Sequence, residues 1–235
     1  MERIDQIQGT FDKREQQATP VVSPAVIKRL PRYHRYLGEL LRIGRLRISS
    51  AELSRMMNVT ASQIRQDLNC FGGFGQQGYG YNVKYLHSKI SELLGTAEGY
   101  RAVIVGAGNL GRALAATHMF ERRGVERIAM FDNDPTIVGT TIHSLPVYHV
   151  DTLASYCREM HVSLAVLTVP KESAYEVVDK LLEGGVTGIW NFANMELDEN
   201  YGDAVVENIH LGDSLMKLTY EMKSKSRGKT DDASE

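Results

Sequence analysis

Cysteine is scarce: Cys70 and Cys157 are the only two in 235 residues. They lie far apart, with no C-x-x-C and no Cys/His cluster, so neither a disulfide framework nor a zinc site is expected, and both read as buried or half-buried thiols. His118, His143, His149 and His161 are scattered without ligand spacing and read as surface or capping residues. No metal is expected. Long apolar runs are missing as well. No stretch of about 18 apolar residues occurs, and the polar segment Met1–Thr19 lacks the apolar core of a secretory signal. A cytoplasmic protein with no membrane partner is the expectation.

The formal net charge of −2 is bland, yet it conceals an asymmetry. Residues 26–66 hold nine Lys/Arg against Glu39 and Glu52, a balance of +7, while residues 1–25 sum to −1 and the remainder to −8. A basic head on an acidic body suits a polyanion held at one end, although a solvated helix face would carry the same charges. The chain is long enough for one large domain or two small ones.

Within the basic segment the helix signals are dense. Ser23-Pro24 reads as an N-cap followed by proline at the first helical position. Pro31 then starts a longer helix, with Tyr33, Tyr36, Leu37, Leu40 and Leu41 inward and Gly44 as its stop. Two capping boxes follow. Ser49 to Glu52 opens one short helix and Thr60 to Gln63 the next, with Ile64 and Leu68 inward; in each box the Glu or Gln side chain is expected to reach back to the cap. This is a tri-helical helix-turn-helix pattern whose second capped helix would enter a DNA groove, against the plainer reading of a helical hairpin in a bundle. Thr60, Ser62, Gln63, Arg65 and Gln66 are the candidate DNA contacts, since Arg suits guanine and Gln adenine. Phe71 to Val83 then interleaves glycines with aromatics. Tyr79, Tyr81 and Val83 alternate as a strand would, and Gly78 and Gly80 would allow close backbone approach to phosphate, so Gly78 to Tyr81 read as a wing rather than a flexible linker. A helix from Lys84 to Leu94 leads to a boundary near residues 96–99.

Ala102 to Arg112 carries G-x-G-x-x-G directly after an apolar β-branched run. Gly106, Ala107, Gly108, Asn109, Leu110 and Gly111 would form a turn on which a pyrophosphate meets a helix N-terminus, the helix running from Leu110 to Arg122. Asp132 closes the second strand, placed to accept from the adenosine ribose hydroxyls and to repel a 2′-phosphate, so NAD(H) is the expected cofactor. Further strands are expected at Val147–Val150, Ser163–Val169, Gly188–Phe192 and Ala204–Ile209, with helices Asp151–Glu159 and Lys171–Glu183 between them. Thr168, Val169, Pro170, Asn191 and Phe192 end two of these strands, where the nicotinamide would lie. A Rossmann-like fold that has lost its ligand, or that holds another nucleotide, stays open.

The expected fold is thus α/β: an N-terminal winged-helix domain at 23–96, a Rossmann-like doubly wound parallel-sheet domain at 97–210, and a C-terminal helix at 211–223. Residues 1–22 and 224–235 are expected to be disordered tails. An enzyme of this architecture usually adds a substrate domain, and here only about 25 residues follow the last strand. Leu211, Leu215, Leu218 and Met222 stripe the last helix and would lie wet in a monomer, so a homodimer through that helix is expected, against a helix folded back on its own sheet. No catalytic residue is assigned. An oxidoreductase with a fused DNA-binding head, a regulator of another nucleotide, and a head that only dimerises are the rival readings.

The chain resembles the Rex family of bacterial redox-sensing transcriptional repressors from about Ser23 to Lys223. The resemblance rests on Arg29 to Tyr33, Ile64-Arg65, Asp67-Leu68, Phe71-Gly72, Gly78 to Val83, Gly106 to Gly111, Thr168 to Pro170 and Asn191 to Ala193. It implies a homodimer with swapped C-terminal helices, bound to operator double-stranded DNA and released by NADH with NAD⁺ competing. Arg35 matches a family arginine that links the head to the partner's body. Gln66, Asn69 and Cys70 depart from the family pattern at the recognition helix. Thr117 and His210 stand where a tyrosine and an aspartate commonly take part in the ligand switch, beside Leu211. A histidine at 210 predicts a response that varies with pH near neutrality.

Overall fold

The computed structural model describes residues 22–69, 75–76 and 80–231. The chain divides into two units, residues 1–95 and 96–235.

The first unit begins with α1 (Pro24–Ile27) and α2 (Leu30–Arg42), separated by a single tight turn at Lys28 and Arg29. Its core is the inward face anticipated from periodicity: Leu30, Tyr33, Leu37 and Leu40 from α2, closed by Leu53, Met57, Ile64 and Leu68 from α3 (Ser50–Met57) and α4 (Ala61–Asn69). The box at Ser49 is complete. Ser49 Oγ accepts from the Glu52 amide at 3.1 Å, and Glu52 Oε2 accepts from the Ser49 amide at 3.0 Å. Those bonds, ahead of the Arg45 guanidinium, lower the Glu52 carboxyl to about 2. The box at Thr60 is half made. Thr60 Oγ1 caps the Gln63 amide at 3.1 Å, but the Gln63 side chain turns the other way and donates to Asp67 at 2.8 Å. A carboxylate one helical turn ahead is a stronger acceptor than the cap could offer.

A three-stranded sheet completes this unit in the order β1 (Arg47–Ile48), β3 (Gly80–Asn82), β2 (Gly75–Gln76), all antiparallel. It stands where a wing was expected. Val83 does not continue the strand. Asn82 Oδ1 caps the Tyr85 amide at 2.9 Å, so α5 (Val83–Leu93) starts there, and Val83, Leu86 and Ile90 are buried against α2.

The second unit is an eight-stranded sheet. Six parallel strands form its middle: β7 (Leu145–His149), β5 (Val125–Asp132), β4 (Tyr100–Val105), β8 (Leu164–Leu167), β9 (Gly188–Asn191) and β11 (Ala204–Asn208). Short antiparallel strands finish each edge, β6 (Thr141–Ile142) and β10 (Asn200–Tyr201). Neither edge strand was expected, because two residues are too short to show a period. The β6–β7 turn holds His143 and Ser144 at φ 47° and 69°, and these hairpin positions need that sign of φ. α7 (Leu153–Glu159) and α8 (Lys171–Glu183) cover one face, with Cys157 buried beneath them and its thiol pushed up to about 12 by that burial. Cys70 lies outside the described residues.

The helix after the glycine turn differs from expectation. α6 spans Asn109–Ala115 and stops a full two turns before Arg122. The cause lies across the fold: Arg127 on β5 donates Nη1 to the Ala115 and Leu114 carbonyls, and Thr117 Oγ1 donates to Leu114 at 2.9 Å. The acceptors a longer helix would need are thereby taken. α9 (Leu211–Asp231) instead runs past Lys223. No helix among the described residues is long and apolar enough to cross a membrane.

Candidate functional site

The β4–α6–β5 connection leaves the sheet to one side and β8–α8–β9 to the other, so a crevice opens between the C-terminal ends of β4 and β8. In open α/β sheets that is where ligands bind. A cavity of about 1120 Å³ occupies it. Gly106, Ala107, Gly108 and Asn109 line it from the turn, Asp132 from the end of β5, and Thr168, Val169, Pro170 and Phe192 from the other half. Leu110, Gly111 and Asn191 do not reach its wall.

The three glycines have separate physical reasons. Gly106 sits at φ +100° with its would-be Cβ 2.7 Å from the Thr168 carbonyl oxygen, and a Cβ on Gly111 would lie 1.9 Å from the Gly106 oxygen. Both serve the fold. Gly108 has an ordinary φ of −71° and open space where a side chain would stand. No described residue crowds that position, whereas a ligand brought close to the backbone would.

Asp132 sits under the turn, Oδ2 accepting from the Ala107 amide at 2.6 Å and Oδ1 from the Asp134 amide at 3.0 Å. Each oxygen keeps a lone pair for a hydroxyl. The Thr168 hydroxyl contacts the Val105 and Gly106 carbonyls at 3.0 and 2.8 Å, tying the two halves of the crevice together. Asn191 is fully buried. Its amide donates to Met195 and Asn208 and accepts from the Ala193 amide, so it shapes the loop that carries Phe192. Arg112 and Lys171 also line the cavity and were not anticipated. The signal for Arg112 was its place directly after Gly111.

In the first unit, α4 exposes Ser62, Arg65 and Gln66, while Thr60 caps it. Arg65 Nη1 donates to Ser50 Oγ at 3.3 Å. Gly80 at φ +70° places a would-be Cβ 2.6 Å from the Ile48 oxygen, so its glycine is required by the β1–β3 contact. Tyr81 is buried in the core. Gly78 and Tyr79 lie outside the described residues. Asp67, which no site assignment included, is the most heavily bonded side chain of the helix. It accepts from Arg29 Nε and Nη2 at 2.7 Å each, from Tyr33 Oη at 2.9 Å and from Gln63. Burial alone would raise its carboxyl, but the Arg29, Gln63 and Tyr33 bonds outweigh it and hold it below its ordinary value. Its place three residues after Ile64 and one before Leu68, on the apolar face, was the signal.

Comparison with known proteins follows the two units. A model described as putative DNA-binding protein N-terminus matches residues 21–69, and a CoA binding domain model matches residues 97–195. The redox-sensing transcriptional repressor Rex of Clostridioides difficile (strain 630) is 50% identical over 202 residues, 86% of this chain and 96% of that protein. The chain belongs to the Rex family. The solved structure of RSP in complex with β-NAD⁺ and operator DNA superimposes with a TM-score of 0.81 at 44% identity, over 91% of this chain and 98% of that one. RSP in complex with β-NADH gives 0.79 at 42%, over 89% and 98%. These Rex relatives are named as repressors and not as enzymes.

The positions marked by the Rex resemblance as switch residues fall in three places. Arg35 is exposed on α2 with its guanidinium 5.3 Å from the Tyr36 ring centroid. Thr117 is half-buried and spends its hydroxyl on ending α6. His210 is half-buried, its carbonyl accepting from the Asp213 amide at 3.2 Å, and Leu211 beside it is 62% exposed. His149 accepts from the Asp151 amide and lines the cavity, in keeping with a capping role.

Proposed function

We propose that this chain is a redox-sensing repressor that binds operator double-stranded DNA as a homodimer and leaves it when NADH binds, with NAD⁺ competing. The observation that carries the reading is the cavity at the strand-order reversal, floored by a glycine with open space at its Cβ position where a ligand can approach the backbone, in a chain whose other unit exposes a helix-turn-helix. Asp132, with its lone pairs facing the cavity end of β5, supports NAD(H) over NADP(H). A ligand moves a two-state equilibrium only by its differential affinity. NAD⁺ and NADH differ at the nicotinamide, so the contrast belongs to Val169, Pro170 and Phe192.

Operator contact belongs to Arg65, Gln66 and Ser62, with Gln63 turned inward to support the helix. In a gel shift on a duplex selected from a random pool, NADH is expected to release the protein and NAD⁺ to leave it bound. Equal retention in both would end the proposal. Arg65→Ala is expected to weaken the selected duplex by about tenfold or more while leaving salt-dependent binding to random duplex largely intact.

Dimerisation through α9 is supported by two unpartnered apolar faces. Leu211, Leu215, Leu218 and Met222 are each at least half exposed along one seam of the helix. On the α6 side of the sheet, Trp190 is only half-buried and Val205 is 67% exposed. A second copy's α9 laid there would cover both. Leu215→Asp with Leu218→Asp is expected to give a monomer in light scattering; a persisting dimer would place the interface elsewhere.

A further inference from the structure

The charges lining the cavity are unevenly engaged. Asp132 is held by two backbone amides, and Asp134 accepts from the amide and hydroxyl of Thr136. Asp151 and Glu176 share the ammonium of Lys180 at 3.1 and 2.9 Å, and His149 Nδ1 accepts from the Asp151 amide. The other two charged residues of the wall are basic, Arg112 on α6 and Lys171 at the first position of α8. Arg112 is bonded only through Nε, which donates to the Ala107 carbonyl at 2.7 Å. Its two Nη groups and Lys171 Nζ meet no hydrogen-bonding or ion-pair partner among the described residues, and the one acid that the Arg112 charge influences, Asp134, is held chiefly by Thr136.

A pyrophosphate brings a full negative charge on each phosphate. The aligned peptide dipoles of a helix N-terminus offer about half an elementary charge, and α6 has only seven residues. Backbone amides therefore leave most of that charge unanswered. We infer that Arg112 and Lys171 are pyrophosphate-binding residues that reach the dinucleotide from α6 and α8, on opposite faces of the sheet. The Nε bond to Ala107 already orients the guanidinium plane, so little side-chain freedom is lost when its remaining donors engage phosphate. The inference rests on the nucleotide-binding reading above. Phosphates are common to both redox forms, so these contacts raise affinity for NAD⁺ and NADH alike and contribute nothing to their contrast.

The test is calorimetric titration of the full-length protein and of Arg112→Gln, Lys171→Gln and the double variant with NADH, NAD⁺ and ADP-ribose. Each single change is expected to weaken all three ligands by about tenfold, with the NADH to NAD⁺ affinity ratio unchanged and a shallower dependence on salt. Arg112→Lys, which keeps the charge, is expected to recover part of the loss. Lys171→Gln removes an exposed side chain with no hydrogen-bonding or ion-pair partner among the described residues, so its melting temperature without ligand should match the parent. If the parent protein binds none of the three ligands, the nucleotide-binding reading itself fails. If the parent binds while both Gln variants bind equally well, or if the ratio shifts while ADP-ribose affinity stays constant, the assignment of Arg112 and Lys171 is overturned.

Discussion

Asp67→Ala is expected to lower the stability of the N-terminal unit by about 3 kcal/mol while leaving the melting of the C-terminal unit unchanged. Asp67 is fully buried and its two oxygens accept four hydrogen bonds, two of them from the Arg29 guanidinium. Removing it leaves the buried Tyr33 hydroxyl without an acceptor and Arg29, whose side chain is 27% exposed, as a largely desolvated cation. That residual exposure keeps the loss toward the lower end of what breaking a buried pair costs. A unit of this size has about 5–15 kcal/mol in hand, so its own transition should move down by many degrees. Because the network joins α4 to the start of α2, operator binding should fail at temperatures where NADH binding persists. Calorimetric scanning resolves the two transitions. An unshifted first transition would show that the network does not hold α4. Replacing the pair with apolar residues, Arg29→Met with Asp67→Leu, should recover only the part due to the stranded Arg29 charge, because the buried Tyr33 hydroxyl still lacks its acceptor.

The same carboxylate sets an acid limit. Its native pKa lies below the ordinary value of about 3.9, so its contribution is fully present above that value and is lost as pH falls through the native one. Stability of the first unit should therefore be level in this respect from pH 5 to 8 and should fall only in stronger acid.

Gly111→Ala and Gly108→Val should separate fold from ligand. A Cβ at 111 meets the Gly106 oxygen at 1.9 Å and the Thr168 hydroxyl at 3.0 Å, and the first of these is backbone that cannot step aside without opening the turn. A loss of about 3 kcal/mol or more in the C-terminal unit is expected. Gly108→Val places its Cβ within 4 Å of no described residue. At a helix N-cap it costs about 1 kcal/mol, but its side chain fills the approach to the cavity, so the rise in melting temperature on adding NADH should vanish. Thermal scans with and without NADH distinguish the two, and a retained ligand shift in Gly108→Val would move the pyrophosphate away from this turn.

Particular elements show why some features were readable and others not. The Ser49 box, the helix start at Pro24 and the glycine turn depend on residues within a few positions of one another, and each came out as its spacing implied, except that Ser23 makes no side-chain cap bond. The end of α6 did not, because the group that stops it, Arg127, arrives on the next strand. Gln63 looked free for a groove, yet Asp67 one turn ahead claims it. Gly80 and Tyr81 looked like wing surface, but the close approach of Ile48, set by strand pairing, turns one into a packing glycine and the other into core.

By itself the order of residues determined most of the helices, the complete Ser49 cap, the parallel strands, the glycine turn with its acid and the basic head, because these follow from local periodicity and short-range hydrogen bonding. Which polar side chains remain available for a ligand, where α6 ends, and which glycines serve the fold were decided by tertiary contact alone. A buried donor or acceptor takes the best partner that folding brings near it, and distance along the chain does not reveal which partner that is.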